Sequence, residues 1–227
     1  MKKRNNQKPA RQFYKRLASI ALLIFCCAIL LNAFKARSLT ASLSVLGRVS
    51  GMHSARTATV AQPEITVDLL TPNKYSRPQK ALTQVNSIVI HYVGNAGSTA
   101  TANRDYFENL RHTGTTSASS HFVVGIDGSI VQCVPLDEIS YASNHRNRDT
   151  ISIEVCHPDD SGKFSSDTIA SLTKLVGWLL DVYDLEKDDV IRHYDVTGKV
   201  CPKYYVEHED AWENLKQKFW DYYQKHK

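Results

Sequence analysis

The segment SIVIHYV at residues 87–93 constrains the fold of this chain more than any other stretch. It is rich in β-branched residues and carries no charge. This pattern is typical of a strand that lies inside a sheet of parallel strands and is covered on both faces. His91 is the exception in this run, because an unpaired imidazole in an apolar strand is costly. We therefore expect a central strand in which His91 is either a hydrogen-bonded core residue or a ligand.

The remainder of residues 64–227 mixes strand and helix patterns. Residues 121–124 and 129–134 flank a turn signal at Ile126-Asp127-Gly128 and predict a hairpin. Further strands are predicted at residues 150–156 and 190–193. Helices are predicted at residues 98–112 with Ser98 or Thr99 as cap, residues 165–183 with Ser165 or Ser166 as cap, and residues 209–225. In the first helix, Tyr106, Phe107 and Leu110 are expected to point inward. The pattern predicts one α/β domain with a central mixed β-sheet flanked by helices.

Charge is distributed unevenly along the chain. Residues 1–63 carry eleven of the 28 Lys and Arg residues and no acidic residue, which leaves 17 basic against 23 acidic residues in residues 64–227. The predicted domain is therefore acidic, and we expect no nucleic-acid partner. The basic excess belongs to the N-terminal part of the chain.

An uncharged segment at residues 17–34 follows a basic tail at residues 1–16. As a helix of about 1.5 Å rise per residue it would span about 27 Å, close to the hydrocarbon core of a bilayer. We favour a transmembrane signal-anchor with the tail in the cytoplasm and the domain outside the cell. A cleaved secretory signal is the alternative, although Ala36-Arg37-Ser38 is a late and imperfect cleavage site. Residues 35–63 are predicted to be a flexible linker.

A second histidine and a cysteine give His91 a candidate role. His193 ends a predicted strand, and Cys201 follows it across a loop that contains Gly198. Two imidazoles and one thiolate would provide three zinc ligands and leave a fourth position for water, as in catalytic rather than structural zinc sites. The spacing alone is a weak signal, because it is not one of the common zinc-binding forms.

Four motifs carry a family resemblance. IVIHYVGN, SHFVVGIDGSIVQCVP, DTISIEVCHPD and IRHYDVTGKVCP resemble the zinc-dependent N-acetylmuramoyl-L-alanine amidases, the group that includes phage amidase-type lysozymes and peptidoglycan recognition proteins. The resemblance implies one zinc ion per chain, held by His91, His193 and Cys201. It also implies hydrolysis of the amide bond between N-acetylmuramic acid and L-alanine of the peptidoglycan stem peptide.

Two further residues are candidates for catalysis. Strand alternation in residues 150–156 places Glu154 on one face with Ser152 and Cys156. The resemblance implies that Glu154 is the general acid and base, and that Lys199 stabilises the oxyanion. A salt-bridged structural glutamate and a solvated loop lysine are the alternatives. Some relatives have a catalytic tyrosine where this chain has Ser120, so we expect Glu154 to take over that role.

Four loop residues are predicted to rim the cleft and bind substrate, with solvated loop positions as the alternative: Asn95, Asn144, His145 and Arg146. His121 is expected to be a strand residue near the cleft rather than a fourth ligand.

Other residues are assigned supporting roles. Asp195 is expected to orient a ligand or cap the loop. Cys133 and Cys156 are expected to be buried free thiols, although a disulfide is conceivable outside the cell.

The sequence thus predicts a membrane-anchored cell-wall hydrolase, with a monomer as the default state. Two alternatives remain open at this point. One is a module of the same fold that binds peptidoglycan without cutting it, and the other is an anchor in which zinc only stabilises the fold. Peptidoglycan is the expected partner of both the hydrolase and the binding module.

Overall fold

The computed structural model describes residues 58–227, so the predicted cytoplasmic tail, the predicted signal-anchor and most of the predicted linker lie outside the described residues. Within this part of the chain, a mixed six-stranded sheet has the strand order β1-β4-β3-β5-β2-β6. The strands are β1 (Thr66–Val67), β2 (Ser87–Tyr92), β3 (Phe122–Val124), β4 (Ile130–Gln132), β5 (Thr150–Val155) and β6 (Val190–Arg192).

Strand β2 lies inside the sheet and runs parallel to both of its neighbours, β5 and β6. Strand β3 is parallel to β5 and pairs antiparallel with β4, and this hairpin makes the sheet mixed, as predicted. The carboxyl ends of β2, β5 and β6 therefore meet at one edge of the sheet, where open α/β sheets usually form their binding crevices.

The helices are α1 (Ala100–Thr113), α2 (Ser166–Tyr183), α3 (His193–Thr197), α4 (Lys203–Glu207) and α5 (Glu209–His226). The side chain of Thr99 caps α1 by accepting from the Ala102 N–H, and Ser165 caps α2 by accepting from the Thr168 N–H. Both caps and the bounds of the three long helices agree with the sequence prediction to within a residue or two. The short elements β1, α3 and α4 were not predicted.

Helices cover both faces of the sheet. Ile88 and Ile90 of β2 pack with Ile151 and Ile153 of β5 in a core cluster that includes residues of α2 and α5. A smaller cluster on the other face joins Val93 and Cys156 to Phe107 of α1. This double cover explains the continuous apolar run of β2.

Two details differ from the sequence expectations. Tyr106 of α1, predicted to point inward, is 51% exposed, because Phe107 and Leu110 already fill the buried side of this helix. Val60 lies in the segment predicted as linker, yet it is 1% exposed and belongs to the main core cluster. Its N–H donates to Asp181 Oδ2 of α2 at 2.9 Å. The packed domain therefore includes residues before the boundary predicted at residue 64.

Among residues 58–227, no helix combines the length and apolar character that a bilayer crossing requires.

Candidate metal centre and active site

Three chain segments meet at the carboxyl edge of the sheet. His91 is near the end of β2, and His193 is the first residue of α3, directly after the neighbouring strand β6. Gly198 ends α3 in the left-handed conformation, with φ of 78°. This turn brings the chain back, so that the Tyr194 N–H donates to the Cys201 carbonyl at 2.9 Å. The loop closure places Cys201 beside the two histidines.

Their ligand atoms converge. His91 Nδ1 is 3.2 Å from His193 Nδ1 and 3.9 Å from Cys201 Sγ. All three atoms lie within 4.8 Å of one another. The residues are buried, with 1%, 7% and 2% exposure for His91, His193 and Cys201. The structure therefore brings together the three predicted metal ligands, which are separated by as many as 110 positions along the chain.

The donor set fits a zinc ion. Tetrahedral ligands at the usual zinc–nitrogen and zinc–sulfur distances would have N···N and N···S separations of about 3.3 and 3.6 Å. The observed 3.2 and 3.9 Å are close to these values, and no two of the three atoms are more than 4.8 Å apart. Two imidazoles and one thiolate also form a ligand set that suits zinc.

The protonation states of the two imidazoles suit a bound cation, whereas Cys201 is a thiol until a cation binds. Burial, followed by the charges of His193 and Lys199, holds the pKa of His91 well below its ordinary value. Burial and Lys199 lower the pKa of His193 as well. Burial raises the pKa of the Cys201 thiol to about 12. Both imidazoles are thus neutral near pH 7, and Cys201 needs a bound cation to become a thiolate.

The second nitrogen of each imidazole has its own hydrogen-bond partner. His91 Nε2 lies 3.2 Å from Ser143 Oγ, and His193 Nε2 lies 3.0 Å from Asn144 Oδ1. Asn144 was predicted to bind substrate, but its side chain contacts His193. Ser143 was not singled out from the sequence, where nothing distinguishes it from other serines.

Glu154 lies on β5 beside the three predicted ligands. Its Cα pairs with that of His91 in the β2–β5 register, on the face predicted from strand alternation. Within residues 58–227, its Oε2 atom is buried without a hydrogen-bond partner. Burial raises the pKa of Glu154 to about 8, an effect that the charge of Lys199 partly offsets. A buried carboxylate oxygen to which no protein group donates is rare, and it can accept a hydrogen bond from water or substrate.

Lys199 lies on the loop between α3 and Cys201 and is exposed. Its positive charge reaches the centre, because it acts on the pKa values of His91, His193, Cys201 and Glu154. The structure therefore places Glu154 beside the three predicted ligands and Lys199 on the loop that leads to Cys201.

The other predicted substrate-binding residues are dispersed. Asn95 and His145 are exposed. Arg146 turns away from the metal centre: it forms an ion pair with Asp149 at 2.9 Å and donates to Ser87 Oγ at 3.0 Å. Because Ser87 begins β2 and His91 is near its end, the Arg146 side chain lies at the opposite end of the strand. Its attraction to Asp149 accounts for this orientation.

His121 is held away from the metal centre by its own partners. Its Nδ1 lies 3.1 Å from Ser152 Oγ, and its Nε2 lies 2.9 Å from the Glu138 carbonyl. Burial lowers its pKa to about 4. Ser120, at the position of the missing tyrosine, donates its hydroxyl to the Phe122 carbonyl. His121 is therefore a core histidine whose hydrogen bonds are satisfied.

The two strand cysteines and Asp195 have contacts that support the fold rather than the candidate site. Cys133 and Cys156 are buried free thiols within the described chain, and burial raises the pKa of each to about 12. Asp195 accepts hydrogen bonds from the backbone and guanidinium of Arg192, so it caps the turn rather than orienting a ligand. Arg192, which sequence reasoning missed, is 6% exposed and also contacts Glu209. The only sequence signal for it is a charged residue at the end of a strand.

Comparisons with known proteins point in the same direction as this geometry. A family model described as N-acetylmuramoyl-L-alanine amidase matches residues 81–204, which include the three predicted ligands and the two predicted catalytic residues. The N-acetylmuramoyl-L-alanine amidase CwlL of Bacillus licheniformis is 32% identical over 157 residues, which cover 63% of this chain and 43% of CwlL. BlyA of Bacillus subtilis (strain 168), of the same description, is 32% identical over 171 residues, covering 66% of this chain and 43% of BlyA.

The chain spans less than half the length of these two relatives. Among solved structures, the catalytic domain of XlyA has a TM-score of 0.58 and 27% sequence identity, covering 69% of this chain and 99% of that chain. The α/β domain with its mixed sheet is therefore the fold of that catalytic domain.

Proposed function

Because this chain belongs to the N-acetylmuramoyl-L-alanine amidase family, we propose that its domain hydrolyses the amide bond between N-acetylmuramic acid and L-alanine in peptidoglycan. One observation carries the proposal: the ligand atoms of His91, His193 and Cys201 converge within 4.8 Å. Beside them, Glu154 has a buried Oε2 atom with no hydrogen-bond partner in residues 58–227. This arrangement suits metal-assisted amide hydrolysis.

The metal would be zinc, held by Nδ1 of His91, Nδ1 of His193 and Sγ of Cys201. When bound, zinc supplies Lewis-acid chemistry, which makes a neighbouring water nucleophilic near neutral pH and polarises the substrate carbonyl. Three protein ligands would leave one tetrahedral position of the zinc for water or substrate. Their burial keeps this chemistry in surroundings where electrostatic interactions are strong.

Glu154 would act as the general base and acid. Its Oε2 atom accepts a proton from the attacking water as the new C–O bond forms, and then delivers a proton to the L-alanine nitrogen as the C–N bond breaks. A residue that must both accept and donate works best with a pKa near the working pH, and the pKa of Glu154 is raised to about 8 by burial. A cation at the neighbouring centre favours the carboxylate form, as Lys199 already does.

Lys199 would stabilise the negative charge that develops on the carbonyl oxygen. Its charge already acts on every member of the centre, and its exposed position lets it approach a bound substrate. We keep Asn95 and His145, which are exposed, as proposed contacts for sugar hydroxyls or stem-peptide carbonyls.

The test is a digest of purified cell wall with measurement of newly released L-alanine amino termini and of the zinc content of the protein. We expect one zinc per chain and release of amino termini. Glu154→Gln should retain zinc and lower the rate by at least about 100-fold. The matched control is Glu64→Gln, which changes an exposed carboxylate and should leave the rate unchanged. A full rate with Glu154→Gln would contradict the assigned base. A zinc-loaded protein that binds wall without releasing amino termini would instead be a binding module.

We also propose that residues 17–34 anchor the chain in the membrane with the domain outside the cell. The support is the uncharged segment of 18 residues that follows a tail with seven basic residues. Alkaline extraction of membranes should leave the protein in the membrane fraction, and protease added to intact spheroplasts should digest the domain. Release of a shorter, soluble protein into the medium would support the cleaved signal instead.

A further inference from the structure

Two adjacent residues each hold one of the ligand imidazoles from behind. Asn144 Oδ1 lies 3.0 Å from His193 Nε2, and Ser143 Oγ lies 3.2 Å from His91 Nε2. We propose that Asn144 and Ser143 are positioning residues for the two imidazoles: Asn144 fixes the tautomer of His193 that leaves Nδ1 free for the metal, and Ser143 holds His91 in orientation in either tautomer. This inference rests on the proposed function in one respect, because it takes His91 and His193 to be zinc ligands.

The turn that carries these residues is tied down on several sides. The Ala142 and Ser143 N–H groups both donate to Asn147 Oδ1, at 3.1 and 2.6 Å. Arg146 bonds to Asp149 within the same turn and to Ser87 Oγ on β2. The structure thus gives Arg146 a role in holding this turn against the sheet. Restraint of this kind is what a residue needs in order to orient a ligand.

The backbone at Asn144 adds to the argument. Its φ is 53°, in the left-handed region, which asparagine adopts more readily than most residues other than glycine. In this backbone conformation, the amide oxygen of Asn144 faces His193 Nε2. Ser143 is 0% exposed, so its hydroxyl has few partners to choose from besides His91.

The chemistry of the two partners differs in a useful way. An amide oxygen only accepts hydrogen bonds. With that oxygen at 3.0 Å, His193 Nε2 must carry the proton, and Nδ1 is left with the lone pair that a metal requires. Asn144 therefore holds His193 in the metal-binding tautomer whether or not a metal is bound.

The serine hydroxyl can both donate and accept, and His91 needs this freedom. The Nδ1 atoms of His91 and His193 are 3.2 Å apart. Because His193 Nδ1 carries a lone pair, a hydrogen bond between them requires His91 Nδ1 to donate, and His91 Nε2 then accepts from Ser143. A metal needs the Nδ1 lone pair of His91, so the proton must move to Nε2 and the Ser143 hydroxyl must accept. Ser143 suits both tautomers of His91, and Asn144 suits one tautomer of His193.

The inference is tested by the zinc affinity of the full-length chain, measured by competition with a chromophoric chelator. Glycine tolerates the left-handed backbone but has no acceptor. Asn144→Gly should therefore raise the dissociation constant for zinc about 10- to 100-fold. Asn144→Asp keeps an acceptor and should bind zinc within a few-fold of the wild type or more tightly. Ser143→Ala should weaken binding, and the control Arg148→Ala, an exposed residue of the same turn, should not.

A second measurement is the absorption spectrum of the cobalt-substituted protein, which reports the ligand field. Asn144→Gly should shift the absorption bands of the cobalt protein relative to the wild type. Asn144→Asp should keep a tetrahedral spectrum like that of the wild type. Wild-type zinc affinity in Asn144→Gly would overturn the inference. So would a loss of affinity in Asn144→Asp greater than about 10-fold, an outcome that decides the matter even if the glycine variant does not fold.

If the wild-type chain binds no zinc at all, the proposed function itself fails. If it binds zinc and digests wall while Asn144→Gly binds equally well, only the positioning role fails.

Discussion

Replacing Glu154 by glutamine should make the metal-free protein more stable at alkaline pH, although it should lower the activity of the zinc-loaded protein by at least about 100-fold. Burial raises the pKa of Glu154 from its ordinary value of 4.5 to about 8. Between these pH values the folded protein binds more protons at this site than the unfolded chain. Stability therefore falls as pH rises through this window. Glutamine resembles the neutral acid and has no charge to bury.

The magnitude follows from the difference between the two pKa values. At about 1.4 kcal/mol per pKa unit, the penalty above pH 8 has a ceiling of about 5 kcal/mol. We expect Glu154→Gln to match the wild type within about 1 kcal/mol near pH 4.5 and to exceed it by several kcal/mol at pH 9. Groups that evolve for catalysis often carry such a cost in stability.

The assay is urea unfolding of chelator-treated protein at several pH values between 4.5 and 9, followed by circular dichroism. Glu64→Gln is the control, because Glu64 is exposed and its replacement should give no pH-dependent gain. Added zinc should reduce the difference in free energy of unfolding between the wild type and Glu154→Gln at pH 9, since a nearby cation favours the carboxylate. A difference that stays flat with pH, or a glutamine variant that is less stable at pH 9, would refute the reasoning.

Three further substitutions test other parts of the structure. Lys199→Gln should lower the rate of wall hydrolysis by about 100-fold at unchanged zinc content, and an unchanged rate would remove Lys199 from the mechanism. Arg192→Gln should lower the free energy of unfolding by about 1–3 kcal/mol, because the Tyr205 carbonyl, Asp195 and Glu209 lose their hydrogen bonds to the buried guanidinium. A change below about 0.5 kcal/mol in urea unfolding would contradict that role. Gly128→Ala should cost about 1–3 kcal/mol, because φ is 80° and a new Cβ would lie 2.8 Å from Ser171 Oγ. An unchanged melting temperature would show that the hairpin turn adjusts.

Much of the fold could be predicted because its signals are local. The apolar run of β2, the alternation in β5 and the caps Thr99 and Ser165 each depend on neighbouring residues, and the predicted elements agree with the structure. Very short elements such as β1 were missed, since two residues cannot display a periodicity. The burial of Val60 was missed for a related reason: one apolar residue in a polar segment carries no pattern.

The surroundings of the candidate metal centre were harder to predict than the three residues that converge there. Asn144 and Arg146 both looked like polar loop residues at a cleft. In the structure, Asn144 contacts His193 and Arg146 bonds to Ser87 and Asp149. A polar side chain in a loop can be oriented in several directions, and only the packed neighbours decide which partner it meets.

The sequence by itself determined the chemical identity of the site: an imidazole inside an apolar strand, a carboxylate on one face of another strand, and a histidine and cysteine joined by a glycine-containing loop. Residue type and strand alternation are properties of the chain alone. The tertiary structure decided that β2 lies between β5 and β6, which brings His91, Glu154 and His193 to one edge of the sheet. It also decided that Ser143 and Asn144 lie behind the two imidazoles, because distances between remote segments depend on strand order and loop closure rather than on any local pattern.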